Sequence, residues 1–504
     1  MKIVIIGGGT AGWVSALILA EANTQNKKFD ITVIDSSNIP VIGAGEGSTG
    51  IMPDLIDRGL KKLGVNEIDF LNNTEATLKL GIRFKDWMGI GTEYLSPIEP
   101  SQSNTNFIDS DFYYALLKGK VHLSSGGGYA MENELSTYYT NKKNTSGAHS
   151  YHFDAYEVGK YFKSIAIKNG VTHIDAELDI LNRDSNSGNL ISITLKNNPT
   201  IIDADLWIDC TGFARKLINP MGGGWKSYTN WLPTTNAIPY IHQYEPNENI
   251  RLETLSWAMP NGWMWQIPTQ KRYGCGYVYS DMFTTYDNAI NELTKTTGRN
   301  IEPLRNIKFD VGRVDKFWVN NVVAIGLSSA FLEPLQATSI HSTIVQMNLL
   351  KAQFLRTSIS NTINDINRNK YNEHIGNMVD DFKDLIQMQY MTDREDTEFW
   401  KYCKYELPKT DFVKYILDAS KYRTIGSLDF KEYFGGAGWA VWGWTLAGLN
   451  HLSIDNAIAG LNVFDAYQLS EKRYDRNLFN AKVGSIKYLK SKDFMKALVD
   501  KKIK

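Results

Sequence analysis

An α/β fold built on a parallel sheet is predicted by three features of the sequence. These are a strand–glycine–helix–strand opening, two later apolar runs that end in small residues, and a long C-terminal part with helical periodicity. The opening comes first. Residues 2–6 (KIVII) form the short apolar run of a strand buried on both faces. Gly7-Gly8-Gly9-Thr10-Ala11-Gly12 follows. Residues 13–22 then place Val14, Leu17 and Ile18 on one helical face, and residues 29–34 read as a second strand that ends in Asp35. A β-α-β unit of this kind implies parallel strands.

The glycines carry chemistry. Gly7, Gly9 and Gly12 fit G-x-G-x-x-G directly after a strand and at the start of a helix. The first permits a tight turn, the second lets backbone approach a pyrophosphate, and the third lets helix and strand pack closely. The pyrophosphate then meets free N–H groups, those of Thr10 and Ala11 among them, at the positive end of the helix dipole. Asp35 stands where an acid binds a ribose hydroxyl. The ligand class is FAD or NAD. Residues 204–213 and 322–329 are further strands ending in small-residue turns, the second at Gly326. Three such turns suit one extended dinucleotide on a single sheet, which favours FAD. No second fingerprint has strand and helix context, so reducing equivalents are expected from a separate partner.

The rest of the chain is read more coarsely. Residues 56–95 are mixed, and residues 96–150, rich in Ser, Asn, Gly and Tyr, are expected to be long loops. Residues 154–169 read as a helix. Residues 171–209 suggest strands with a polar turn at Asp184–Gly188, and residues 230–280 are again strand-rich. Residues 338–504 are mostly helical by period. No repeat or low-complexity linker separates these parts, so interleaved domains are expected. A discontinuous dinucleotide domain takes residues 1–60, 151–225 and 310–350. A substrate region takes 61–150 and 226–309, and a helical region takes 351–504.

Composition bounds the function. The chain has 504 residues, 54 Lys plus Arg against 55 Asp plus Glu, and a net charge of -1. No basic excess points to nucleic acid or an anionic membrane. No apolar run reaches the length of a membrane span. Cys210, Cys275 and Cys403 are too dispersed for a disulfide framework or a C-x-x-C metal site, which fits a cytoplasmic protein with no structural metal. The 13 Trp, 26 Tyr and 21 Phe suit a pocket for a flat organic ligand.

Trp263-Met264-Trp265-Gln266-Ile267-Pro268 is W-x-W-x-I-P, and with the fingerprint it resembles the flavin-dependent tryptophan halogenase family. Residues 42–49 (IGAGEGST) resemble its flavin strap, and residues 78–87 (LKLGIRFKDW) its catalytic-lysine segment. Residues 151–155, 324–335 and 393–400 also match. The abundance of Asn, Lys and Ile fits a viral member.

The resemblance implies a Rossmann-like FAD domain and FAD in its reduced form. It implies that O2 and halide yield hypohalous acid, which travels through a tunnel to Lys79 and is delivered to an electron-rich arene. A separate flavin reductase supplies FADH2. Flavin contacts carry over to Gly45, Glu46, Gly47, Ser48, Gly326 and Leu335. Halide contacts carry over to Thr338 and Ser339, where backbone N–H groups at a helix start favour an anion. Trp263 and Trp265 keep substrate from the flavin, or are core residues on one strand face. The lysine holds the acid by hydrogen bonds or, if its amine is neutral, forms a haloamine; the sequence leaves both open. Arg83 and Lys85 are its nearest rivals.

The chain departs from the family pattern at Gln336 and Ala337, where Glu and Ser are usual. Glutamine hydrogen-bonds but takes no arenium proton. Easily oxidised bromide or iodide is therefore expected over chloride, with Glu333 or Glu46 as substitute bases. Free tryptophan is not fixed as substrate, because Trp439, Trp442 and Trp444 read as core. An aromatic hydroxylase and a non-catalytic flavin-binding relative are the competing readings. Oligomeric state is not readable.

Overall fold

Strand Lys2–Ile6 pairs in parallel with Asp30–Asp35 on one side and Leu206–Asp209 on the other. Thr172–Asp175 extends the sheet beyond the second strand, and Val322–Ala324 extends it beyond the third, both in parallel. Trp318–Val319 closes that edge antiparallel, giving six strands. The computed structural model describes residues 1–24, 28–39, 45–98, 109–139, 149–355, 363–431, 433–463 and 465–503. Ile42, Gly43 and Ala44 of the strap therefore lie outside the described residues.

Each strand of this sheet is short and apolar because it is covered on both faces. Ile3, Val4 and Ile5 are fully buried. Helix Thr10–Ala22 packs against helices Ala155–Lys168 and Thr338–Leu349. The middle one starts where Asp154 accepts hydrogen bonds from the N–H groups of Tyr156 and Glu157, at 2.9 and 3.2 Å.

A second sheet has seven strands, in the order Ile307–Lys308, Asn236–Gln243, Arg272–Tyr279, Gly262–Pro268, Thr254–Met259, Gly81–Lys85, Glu93–Pro97. All its pairings are antiparallel except Thr254–Met259 with Gly81–Lys85. A third sheet of three short strands, Glu46–Gly47, Ser150–Phe153 and Thr77–Lys79, joins the two. Its last strand runs, after Leu80, into Gly81–Lys85 of the seven-stranded sheet. The C-terminal part is helical, from Asp365–Gln389 to Ser491–Val499. Trp442 and Trp444 are core residues of helix Trp439–Gly448.

The expectation of long loops over residues 96–150 is corrected in part. Helices Asp109–Leu117 and Gly126–Glu132 and strand Leu135–Tyr139 occupy much of it. Glycines there read as breakers, yet Gly128 is needed inside a helix because a Cβ would fall 1.9 Å from the carbonyl oxygen of His122. Close packing outweighs the unfavourable propensity. Residues 99–108 and 140–148 lie outside the described residues.

Candidate active site

A cleft of about 650 Å³ runs between the two large sheets. The ends of the parallel strands form one wall. Gly7 adopts φ +110°, and a Cβ there would sit 2.2 Å from the Cys210 carbonyl oxygen. A Cβ on Gly12 would sit 1.9 Å from the Gly7 carbonyl oxygen, so that glycine sets helix-to-strand distance. Gly9, by contrast, faces open space and caps helix Thr10–Ala22 without any side-chain cap. Gly8 is the crowded member: its Cβ would collide with the Asp35 carboxylate.

Asp35 lines the cleft, and its carboxylate accepts a hydrogen bond from His173 Nε2. Asp209 anchors the second turn. It is fully buried and accepts from the backbone N–H groups of Thr211, Leu217 and Ile218 and from the Ser328 hydroxyl of the third turn. Gly326, at φ +68°, brings that third turn against Ala11.

These residues fit a dinucleotide on their own geometry. The first-turn N–H groups of Thr10–Ala22 stand at a cleft wall with no side-chain cap. The Thr10 hydroxyl and the Trp265 indole N–H are buried on the same cleft without partners. Such atoms call for a ligand.

The opposite wall carries the lysine. Thr77–Lys79 pairs with Ser150–Phe153, and Glu46–Gly47 pairs with the other edge of that strand. This puts the Lys79 amine against Gly47, where a Cβ would lie 3.1 Å from Nζ and 3.7 Å from the His152 ring. Lys79 is 2% exposed, and burial pulls its amine down to about 7. His152 Nε2 meets the Thr254 hydroxyl at 2.8 Å, and burial, with the Lys79 charge beside it, holds that imidazole neutral. The two rival cations are committed elsewhere. Arg83 pairs with Glu93 and Glu253, and Lys85 lies over the Trp257 ring at 3.7 Å.

The other sequence-identified residues divide. Gly45, Glu46, Gly47, Gly326, Leu335, Thr338, Ser339, Trp265 and Ile267 line the cleft with Lys79. Burial, and then Asp154, push the Glu46 carboxyl up to about 7. Ser48, Trp263, Pro268 and Gln336 are not on the cleft wall. The Ser48 hydroxyl meets that of Ser150 at 2.6 Å, and the Pro268 carbonyl accepts from the Thr77 hydroxyl at 2.7 Å. Trp263 and Trp265 sit with ring centroids 6.2 Å apart. Gln336 is buried in the 334–336 turn, and its Nε2 has no acceptor. Ala337 then takes φ 55° and starts helix Thr338–Leu349 without a side-chain cap.

Sequence reasoning missed three contributors. Glu333 is fully buried; its carboxylate accepts from Trp263 Nε1 at 2.8 Å and from the Tyr390 hydroxyl. Burial raises that carboxyl, and the two donors oppose the rise. His341 donates from Nε2 to the Gly435 carbonyl and accepts at Nδ1 from the Thr49 hydroxyl, each at 2.7 Å, fixing the strap to the glycine segment near residue 435. His152 lies in the matched segment 151–155, which was the available signal.

A dinucleotide cleft with a buried amine on its far wall defines a class of flavin enzyme. The tryptophan halogenase family model matches residues 2–450. Tryptophan 7-halogenase RebH of Lentzea aerocolonigenes is 32% identical over 444 residues, covering 83% of this chain and 81% of that protein. Among solved structures, Tar14, a tryptophan C-6 flavin-dependent halogenase from taromycin biosynthesis, superposes with a TM-score of 0.86 at 26% identity over 99% of both chains. BrvH, a flavin-dependent halogenase from Brevundimonas sp. BAL3, does so with a TM-score of 0.82 at 26% identity, again over 99% of both. The chain belongs to the tryptophan halogenase family and is an enzyme of that kind, a flavin-dependent halogenase.

Proposed function

We propose that the chain is an FADH2-dependent halogenase in which Lys79 delivers an oxidised halogen to electron-rich aromatic substrates, with bromide or iodide used ahead of chloride. Bound in the cleft, reduced FAD with O2 and halide supplies hypohalous acid. The protein's own residues do the rest. Gly7, Gly9, Thr10, Ala11 and Gly12 grip the diphosphate by backbone N–H groups and close approach, and Asp35 takes a ribose hydroxyl. Gly45 to Ser48 strap the flavin, with Gly326 and Leu335 beside it. The N–H groups of Thr338 and Ser339 hold halide at a helix start. Trp263 and Trp265 keep the substrate ring away from the flavin. Lys79 hydrogen-bonds or captures the hypohalous acid, and Gln336 orients it as a neutral amide. A separate reductase supplies the FADH2.

The observation that carries this reading is the position of one amine. Lys79 is buried on the same cleft that carries the glycine fingerprint, so an oxidant made there reaches it without crossing bulk water. The test supplies reduced FAD, O2, bromide or iodide, and a panel of indoles and phenols, with products read by mass spectrometry. Halogenated product is expected, and Lys79→Ala is expected to abolish it while peroxide release continues. Hydroxylated product without halogen would make the enzyme an aromatic hydroxylase. Bound flavin with no product would make it a non-catalytic relative. Chloride winning a competition assay would overturn the halide preference.

A further inference from the structure

The substrate class follows from what surrounds Lys79, and this inference rests on the halogenase reading above. Among the described residues no carboxylate pairs with Lys79; burial alone acts on its amine. The titratable group beside it, His152 on the neighbouring strand, is kept neutral and holds Thr254. The acids of the cleft are engaged. Glu333 takes the Trp263 and Tyr390 donors, Asp35 takes His173, and Glu46 lies against Asp154. Gln336 adds a buried N–H donor with no acceptor, in the turn next to the helix start that lines the cleft. The site is thus supplied with donors and short of proton acceptors. A buried cation without a counter-ion is stabilised by an anionic ligand. A ring that takes a halogen cation at carbon must also shed a proton, and a neutral amide takes none.

We infer that the substrates are phenols, aromatic rings whose own ionisable hydroxyl meets the Lys79 amine and replaces the missing base. The balance closes without a protein carboxylate. On binding, the phenol gives its proton to Lys79 and becomes a phenolate paired with the ammonium. An electron pair of the phenolate becomes a C=O bond as the ortho or para carbon takes the halogen from hypohalous acid. The O–halogen bond breaks toward oxygen, and the hydroxide takes a proton from Lys79 and leaves as water. The neutral halodienone regains aromaticity by moving its ring proton to its own oxygen through water. The next phenol restores the ammonium. An indole or an aryl ether has no such oxygen and needs a base.

Two measurements on the full chain test this. In the first, 4-nitrophenol is titrated by absorbance against the flavin-free protein. Its ionisation is expected to fall by about one pH unit or more on binding, as an adjacent buried cation requires. Lys79→Met is expected to remove the shift. An unshifted spectrum, or a shift that survives Lys79→Met, overturns the inference. In the second, a phenol and its methyl ether, matched in ring electron density, compete for bromination with reduced FAD and O2. The phenol is expected to exceed the ether by roughly tenfold or more in kcat/KM, with Glu333→Gln changing the phenol rate less than threefold. Equal rates for phenol and ether overturn the inference, and so does loss of turnover in a folded Glu333→Gln, which would make Glu333 the base. If an indole alone is brominated, the phenol inference fails and the halogenase reading stands. If nothing is brominated, the halogenase reading fails, and the nitrophenol titration alone decides the binding claim.

Discussion

Lys79 is held where water cannot stabilise its charge, and that has a thermodynamic signature separate from catalysis. Its amine titrates near 7 in the fold, against about 10.4 in an unfolded chain. Between those values the unfolded state binds more protons, so stability rises with pH across that window. Below pH 7 both states are protonated, and the full cost of burying the charge is present, up to about 5 kcal/mol. Lys79→Met is therefore expected to raise the melting temperature of the flavin-free protein by a few degrees at pH 6 to 7, while making no halogenated product. The gain should shrink as pH is raised toward 10. Calorimetry of both proteins across that range checks it, and equal melting temperatures at pH 6 would mean the amine is hydrated. The residue itself was legible, because its segment matches a known pattern. Its isolation was not. That depends on Gly47 and His152, which come from distant stretches of chain and meet Lys79 only through strand register.

At the scale of elements, close approach does most of the positioning. The Glu46–Gly47 strand lies so near the amine that a single methyl matters: a Cβ on Gly47 would stand 3.1 Å from Lys79 Nζ. Gly47→Ala is expected to displace the amine and lower halogenation by roughly tenfold or more, since small misplacements of a catalytic group have effects of that order. FAD affinity should stay within a few-fold of wild type, as read by flavin fluorescence; equal loss of both would mean the whole strap had moved. Asp209 works through hydrogen bonds instead. It ties two crossover turns together, and Asp209→Ala would strand several buried donors at about 1–3 kcal/mol each. Urea unfolding should show the midpoint falling, and an unchanged midpoint would mean the turns hold without it. The glycine fingerprint announced the first turn plainly. It did not reveal that Gly8, outside the motif, is the position pressed against Asp35, because that contact needs the second strand in place. Gly126 to Gly128 misled for the converse reason, since tertiary packing places them in a helix.

On the scale of the whole molecule, the cleft belongs to two sheets at once. Gly7, Asp35, Thr211 and Gly326 come from the parallel sheet and its turns, and Ala237, Pro239, Trp265 and Ile267 from the seven-stranded one. Periodicity and motif predicted the parallel sheet strand by strand. They found the second sheet only as a strand-rich stretch, because antiparallel register over so long a sequence separation leaves no local mark. A ligand that spans both walls couples their stabilities. FAD at a hundred times its dissociation constant adds about 2.7 kcal/mol to the folded state. Because it touches both sheets, the gain should appear in both. Hydrogen exchange with and without FAD should show added protection in Lys2–Ile6 and, to a comparable degree, in Asn236–Gln243 and Gly262–Pro268. Gly7→Ala, whose Cβ would strike the Cys210 carbonyl, should lose the effect in all three. Protection confined to the parallel sheet would mean that only the adenosine half of the cofactor is gripped, and that the flavin end of the cleft is closed by something other than its ligand.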